Sequence, residues 1–360
     1  MQALLLSFFV SFLISLLIVR FERWHVAYSG DNRLQGAQKF HSKVVPRVGG
    51  LAIFLGILSA SALVFLKGQP EGFSLLHMLA LVGIVFLVGL LEDLTKSLGI
   101  LTRLTGMLAA ALFACLTMGA IVTQIGWPWF DMLLGIPIVA IVFTVLGLVG
   151  VTNSINIIDG YHGLAAVVSI LILSALAYVG YTVGDRLIWS FAIITVGGIA
   201  GFLIWNYPRG LIFLGDGGAY LLGFGIALTS VLLVARNPQV SAWFPMLLVI
   251  YPVIETLFSI YRKWIYRGRS PLLPDGIHLH MLLYKRVVRW AAGAGAANDR
   301  RNANTSPYLW LLTSLAVFPA VAFWYLPLML QFSTGLYVVL YLYLYQSLIR
   351  FKTPRWLRHH

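Results

Sequence analysis

"NSINIIDGYHGLAAVVSILILSALAYVGYT", residues 153–182, sets a polar stretch directly against an apolar one. From Gly163 to Thr182 no residue is charged. A helix of about 20 such residues, rising 1.5 Å each, matches the roughly 30 Å hydrocarbon core of a bilayer. Its apolar residues are continuous and do not alternate with period two, so it reads as a membrane-spanning helix and not a barrel strand. Ahead of it stand two amides (Asn153, Asn156), an acid (Asp159) and a histidine (His162). An unpartnered amide at a membrane edge costs free energy, so this segment must bond a neighbouring helix or line a wet cleft.

The same pattern repeats along the chain. Of its 360 residues 60% are hydrophobic and only 10% charged, with a mean hydropathy of +0.89, more apolar surface than a soluble core can hide. Eleven spans are expected, at roughly 3–19, 48–66, 75–92, 104–122, 132–151, 163–182, 187–205, 217–235, 242–261, 307–326 and 332–349. The first run, Leu4 to Val19, has no basic residue before it and no small-residue cleavage site after it, so it is read as a span and not a removable signal. The expected architecture is all-α, one integral membrane domain over residues 1–360, with no internal repeat. The single cysteine, Cys115, lies in a span, which excludes an intramolecular disulfide framework and a thiolate metal cluster.

The net charge of +13 takes its meaning from its placement. Alternate loops plus the C-terminal tail hold 22 of the 25 lysines and arginines; the other side holds Lys67, Arg186 and Arg236. By the positive-inside rule the first set is cytoplasmic, with the N-terminus periplasmic and the C-terminus cytoplasmic. The basic charge is thus a topology signal, and nucleic acid is not an expected partner.

Nearly all chemically useful polar residues fall on that same face. Glu92 and Asp93 end the third span, where the helix dipole is negative and adjacent carboxylates call for a positive partner. Lys96, one turn on, is one such partner; a divalent cation or a substrate is the other possibility. Asp159 and Asp216 each precede a span and read either as helix caps or as ligands. Asn153, Asn156 and Asp159, spaced i, i+3 and i+6, cover about 120° of one helical face and can converge on one ligand. "GDGG" (215–218) opens the eighth span and reads either as a phosphate site at a helix N-terminus or as small residues for close helix packing, as Gly197 and Gly201 do. His278 and His280 flank one apolar residue and read as a surface pair or as a pair pointing the same way from an extended segment. Glu255 sits deepest, about two turns inside the ninth span, as a structural hydrogen-bond partner or a site residue. Oxygen ligands without cysteine suit Mg²⁺, with Mn²⁺ as the alternative, usually shared with substrate phosphates.

In order, "VPRVGG", "LLEDLTK", "NSINIIDGYHGL", "FLGDGGA", "PVIETL" and "SPLLPDGIHLH" resemble the motifs of the polyprenyl-phosphate N-acetylhexosamine-1-phosphate transferases. The matches run from about residue 39 to 286. The chain is more similar to the bacterial branch that starts O-antigen, enterobacterial common antigen and teichoic acid synthesis than to the peptidoglycan translocase branch, whose His-His-His loop is absent. The resemblance implies a Mg²⁺-dependent phosphoglycosyltransferase of the bacterial inner membrane, with its site on the cytoplasmic face. Its partners would be undecaprenyl phosphate, a UDP-N-acetylhexosamine and the bilayer, and a homodimer is compatible with it. It also implies Asp216 as metal ligand with Asp93 beside it, and Glu92, Asp93 and Asp216 as the catalytic acids. Lys43, Arg47 and Lys96 would meet phosphates, and Asn153, Asn156, Asp159 and His162 would line the uridine side, where Phe213 stacks on uracil. His278 and His280 would contact the nucleotide phosphates and sugar, and the 262–306 loop would help to select the sugar. Four positions depart from the family's pattern: Glu92 for the commoner Asp, His162 for Asp or Asn, Gly276 for Arg and Met281 for His. The competing reading is a transporter or flippase for a lipid-linked or anionic sugar, which would place its polar groups near the bilayer midplane and often show repeated halves.

Overall fold

The computed structural model describes residues 1–30, 44–266, 268, 270, 276–288 and 298–350. In chain order its helices are α1 (Gln2–Arg20), α2 (Glu22–Ser29), α3 (Gly49–Leu66), α4 (Gly72–Thr95), α5 (Ile100–Met118), α6 (Pro128–Leu134), α7 (Pro137–Ile158) and α8 (Leu164–Thr182). There follow α9 (Arg186–Asn206), α10 (Gly215–Arg236), α11 (Trp243–Leu248), α12 (Ile250–Tyr261), α13 (Leu279–Leu283), α14 (Asn298–Ala322) and α15 (Pro327–Arg350). Ten of these are long and apolar enough to cross a membrane. The fold is all-α: no β-strand occurs among the described residues, only one bridge between Gly30 and Pro46.

Three expected spans differ, the fifth because α7 runs from Pro137 to Ile158 where 132–151 is expected, which brings Asn153 and Asn156 into the helix. The ninth is two helices, α11 and α12, broken at Val249. Pro252 causes the break, because it has no N–H to give the Leu248 carbonyl and its ring crowds that carbonyl. The tenth begins nine residues early, since α14 takes in the polar residues 298–306 that read as loop. Arg301, Asn302, Thr305 and Ser306 are buried there, which hydropathy cannot anticipate.

α10 runs through the centre, packed against α3, α4, α7 and α8. Of its most apolar stretch 83% is buried, against 17% for α1 and 22% for α15, which leaves the last two facing lipid. At its N-terminal end three helices touch backbone to backbone. A β-carbon on Gly89 of α4 would lie 2.6 Å from Gly217 Cα, and one on Gly50 of α3 would lie 2.4 Å from Gly218 Cα. No side chain but hydrogen fits there, so the packing reading of "GDGG" holds. Gly197 and Gly201 do the same for α9 against α1.

Candidate active site

The convergence of α3, α4 and α10 places the acids. Asp93, buried at the end of α4, accepts hydrogen bonds from the Asp216 N–H (3.0 Å) and the Gly217 N–H (2.8 Å) at the start of α10. The negative end of one helix is thus joined through a carboxylate to the positive end of another, the compensation expected for an acid at that position. Gly215 makes this possible: its φ is +78°, and a β-carbon there would lie 2.2 Å from the Arg47 carbonyl and 2.5 Å from Asp93 Oδ2. Because Asp93 takes these amides, they do not form an open phosphate site.

Asp216 is not a cap. Its Oδ1 accepts from Arg47 Nη2 at 3.2 Å and its Oδ2 from Arg103 Nη1 at 2.9 Å; Arg103 also donates to the Tyr220 hydroxyl at 3.4 Å. Arg47 Nε lies 3.8 Å from Asp93 Oδ1. Arg47 is aimed by its own backbone. Its N–H donates to the Ser29 carbonyl, while the neighbouring Pro46 carbonyl accepts from Phe213 N–H, both at 2.8 Å. Arg103, in the first turn of α5, was not singled out from the sequence; a lone arginine at a basic membrane face carries no motif.

Arg47 also lines a cavity of about 290 Å³, together with Asn156, Asp159, His162, Phe213, His278, His280, Met281 and Asn302. Asp159 follows the last turn of α7 and lines the cavity. Burial pushes its carboxyl up to about 7, with the Arg47 guanidinium pulling it down and the Asp216 charge pushing it further up. Phe213 presents its ring beside that of His162, centroids 5.8 Å apart. The His162 turn is held from several sides. Its N–H donates to Asn302 Oδ1 (2.8 Å), its carbonyl accepts from Ser306 Oγ (2.6 Å), and its Nδ1 meets the Pro208 carbonyl (3.1 Å). Asn206 adds a further tie, accepting from Gly163 N–H and donating to the Ile212 carbonyl, both at 2.7 Å. Asn206, Asn302 and Ser306 also escaped the sequence reading, since each is a single polar residue in an undistinguished setting.

The two loop histidines are not a surface pair. His280 is fully buried and His278 is 5% exposed, their rings stacked 5.2 Å apart. Both Nδ1 atoms face Glu255, at 3.2 Å from Oε1 for His280 and 3.5 Å from Oε2 for His278. Glu255 further accepts from the N–H groups of Leu279 and His280 and from the Tyr341 hydroxyl. It therefore anchors the segment that carries both histidines to the cavity.

Asn153 and Lys96 are engaged elsewhere, whereas Glu92 stands beside the site, its charge acting on Arg103. Asn153 donates to the Val149 carbonyl (3.0 Å) and faces Met107 Sδ (3.6 Å), so it serves packing between α7 and α5. Glu92 accepts from Leu98 N–H at 2.8 Å and stabilises the turn after α4. Lys96, at φ +54°, ends that helix and gives its ammonium to the Gly30 carbonyl, not to the acid pair. Lys43 lies outside the described residues. Of the departures, Met281 lines the cavity and the Gly276 carbonyl accepts from Lys285 Nζ at 3.0 Å.

Among the described residues no three His, Cys, Asp or Glu side chains form a ready-made metal cage. The donor set still fits a hard divalent ion of the Mg²⁺ kind, which takes one or two carboxylates, keeps waters and is completed by substrate phosphates. Asp216, 15% exposed in its side chain, is the accessible carboxylate; both oxygens of Asp93 are engaged by amides. A second cavity, about 600 Å³, is lined by Glu71, Asp185, Arg186 and Arg236. It opens at the far end of α10, some 20 residues from the acids, where Arg236 and Asn237 pair with Asp185.

The fold and site define a helical membrane protein that gathers acids, arginines and histidines at one end of its bundle, an arrangement for handling phosphate esters. The glycosyl transferase family 4 model matches residues 75–234. A probable undecaprenyl-phosphate N-acetylglucosaminyl 1-phosphate transferase of Bacillus subtilis is 29% identical over 282 residues, 78% of this chain and 77% of that protein. A decaprenyl-phosphate N-acetylglucosaminephosphotransferase of Mycobacterium leprae is 30% identical over 333 residues, covering 80% and 78%. An undecaprenyl-phosphate alpha-N-acetylglucosaminyl 1-phosphate transferase of Thermotoga maritima is 28% identical, covering 71% and 73%. The chain belongs to this family, the polyprenyl-phosphate N-acetylhexosamine-1-phosphate transferases. The transporter alternative falls with that membership, and Asp93, Asp159 and Asp216 lie at helix ends, not midway along them.

Proposed function

We propose that the protein transfers N-acetylhexosamine 1-phosphate from a UDP-sugar to undecaprenyl phosphate on the cytoplasmic face of the bacterial inner membrane. An oxygen of the lipid phosphate forms a bond to the β-phosphorus of the donor. The bond from that phosphorus to the bridging oxygen breaks, and UMP leaves. The observation that carries the reading is Arg47, whose guanidinium reaches both the Asp216 carboxylate and the nucleotide-sized cavity.

One phosphoanhydride replaces another, so catalysis reduces to charge neutralisation, alignment and exclusion of water. Arg47 and Arg103, paired with Asp216 before substrate arrives, exchange that partner for phosphate oxygens. Asp216 is thereby freed as principal ligand, with Asp93 fixing its backbone. Asp216 would hold a divalent ion of the Mg²⁺ kind, the usual requirement in this family, which would add to the neutralisation of the phosphates. The lipid phosphate is largely dianionic near pH 7 and needs no strong base. Asn156, Asp159, His162 and Phe213 hold the uridine, and His278 and His280, fixed by Glu255, face the phosphates and sugar. Residues 262–306 contribute to sugar choice. GlcNAc is the default sugar, and the product starts a lipid-linked surface glycan, an O-antigen or a related polymer.

The test is UMP release by the purified protein with undecaprenyl phosphate, Mg²⁺ and a panel of UDP-sugars. Asp216→Asn should abolish turnover while the thermal transition stays close to that of the parent. Turnover surviving in the folded variant would refute the assignment of Asp216.

A further inference from the structure

α14 reaches the cavity with one side chain, and that side chain is oriented by an unambiguous contact. Asn302 is 3% exposed, and its Oδ1 accepts the His162 N–H at 2.8 Å. Only the oxygen end of a carboxamide can accept that proton, so the two ends of the amide are not interchangeable here. The NH₂ end is the one left to the cavity that Asn302 lines, and it makes no hydrogen bond among the described residues. A ligand that fills the cavity and excludes water must offer this NH₂ an acceptor or leave it unpaired, at roughly the cost of a lost hydrogen bond. Of the other amides on the wall, that of Asn206 is spent on Gly163 and Ile212.

We infer that Asn302 is a specificity-determining residue whose Nδ2 donates a hydrogen bond to a carbonyl oxygen of the donor substrate. This rests on the transferase reading above and deepens it. Two carbonyls mark a UDP-N-acetylhexosamine off from its near analogues: O4 of uracil, which cytosine replaces by an amine, and the acetamido oxygen, which a plain hexose lacks. A site built to donate to one of them rejects the analogue without it, because the donor is then left buried and unpaired.

The experiment compares two ratios in the full-length protein and in its Asn302→Asp and Asn302→Ala variants. One is the affinity for UMP over CMP; the other is kcat/KM for UDP-GlcNAc over UDP-glucose. Each ratio compares ligands of equal charge, so the carboxylate introduced by Asn302→Asp cancels. Asn302→Asp keeps the oxygen that accepts from His162 and removes only the NH₂ donor, whereas Asn302→Ala removes both. The expected result is a fall of about tenfold or more in one ratio in both variants. A fall in UMP over CMP identifies the uracil oxygen, and a fall in UDP-GlcNAc over UDP-glucose the acetamido oxygen. If Asn302→Asp holds both ratios within about twofold of the parent, the residue merely braces the His162 turn and the inference is overturned, whatever Asn302→Ala does. A parent protein that neither binds UMP nor releases it would instead sink the transferase reading itself.

Discussion

Arg103 shows how a residue can be central to a site and silent in a sequence. It stands in the segment counted as basic for topology, and only the approach of α5 to α10 reveals that its guanidinium holds Asp216 at 2.9 Å. Asn153 is the converse. Its spacing to Asn156 and Asp159 predicts one shared face, yet a 120° arc is wide enough that its edge belongs to a different neighbour, here Met107 of α5. The acids Asp93 and Asp216 were legible as carboxylates at helix boundaries, whereas Phe213 was legible only through the family resemblance. Substituting Arg103→Ala should remove charge-assisted contacts of about 1.5–3 kcal/mol, a fall of roughly ten- to a hundredfold in kcat/KM. Arg103→Lys should recover only part of this, since the shorter lysine chain brings its ammonium less readily to the position from which Nη1 reaches both Asp216 and Tyr220. Steady-state kinetics of the two variants against the parent checks both statements; equal rates for Ala and parent would remove Arg103 from the site.

At the scale of elements, hydropathy located ten long helices to within a few residues at most ends, because lipid imposes one length and one composition on all of them. It failed where another force sets the structure. The ninth span breaks because proline cannot complete the backbone ladder, and α14 extends backwards because its polar residues are satisfied by the His162 turn and not by water. The contact between α4 and α10 makes a sharper prediction. Gly89→Ala would place a β-carbon 2.6 Å from the Gly217 backbone, which cannot swing aside as a side chain can. The helices must separate, at a cost of about 1–3 kcal/mol, and Asp93 must lose its grip on the two amides. A lower thermal transition in detergent together with lower turnover is the expected outcome; a variant as stable as the parent would show that the two helices have slack.

For the molecule as a whole, the two ends of the bundle are held by different means and should fail under different conditions. Opposite the site, burial pushes the Asp185 carboxyl up, but hydrogen bonds from Arg236, Asn237 and the Ile188 N–H outweigh it and leave the group below its usual 3.8. A carboxyl lowered on folding contributes stability above its unfolded value, and that contribution disappears as pH falls through the folded one. The thermal transition of the parent should therefore exceed that of Asp185→Asn by a constant margin from about pH 5 to 8 and converge with it on acidification below the ordinary carboxylate range. A margin unchanged at pH 3 would mean that the pair contributes by shape and not by charge. Because Asp185 is a full α10 length from Asp216, nucleotide affinity should not follow this change.

The corner where α3, α4 and α10 meet has no side chains between its backbones, and so nothing there can be compressed or rotated. The wall across the cavity is hung instead from Glu255, Asn302 and Ser306, single side-chain ties that can lengthen one at a time. Amide deuterium uptake should divide the molecule along that line. Adding UMP should slow uptake in residues 277–283 and 301–306 and leave 86–93 and 215–220 as slow as before, so that one half of the binding cleft is an anvil and the other the part that yields.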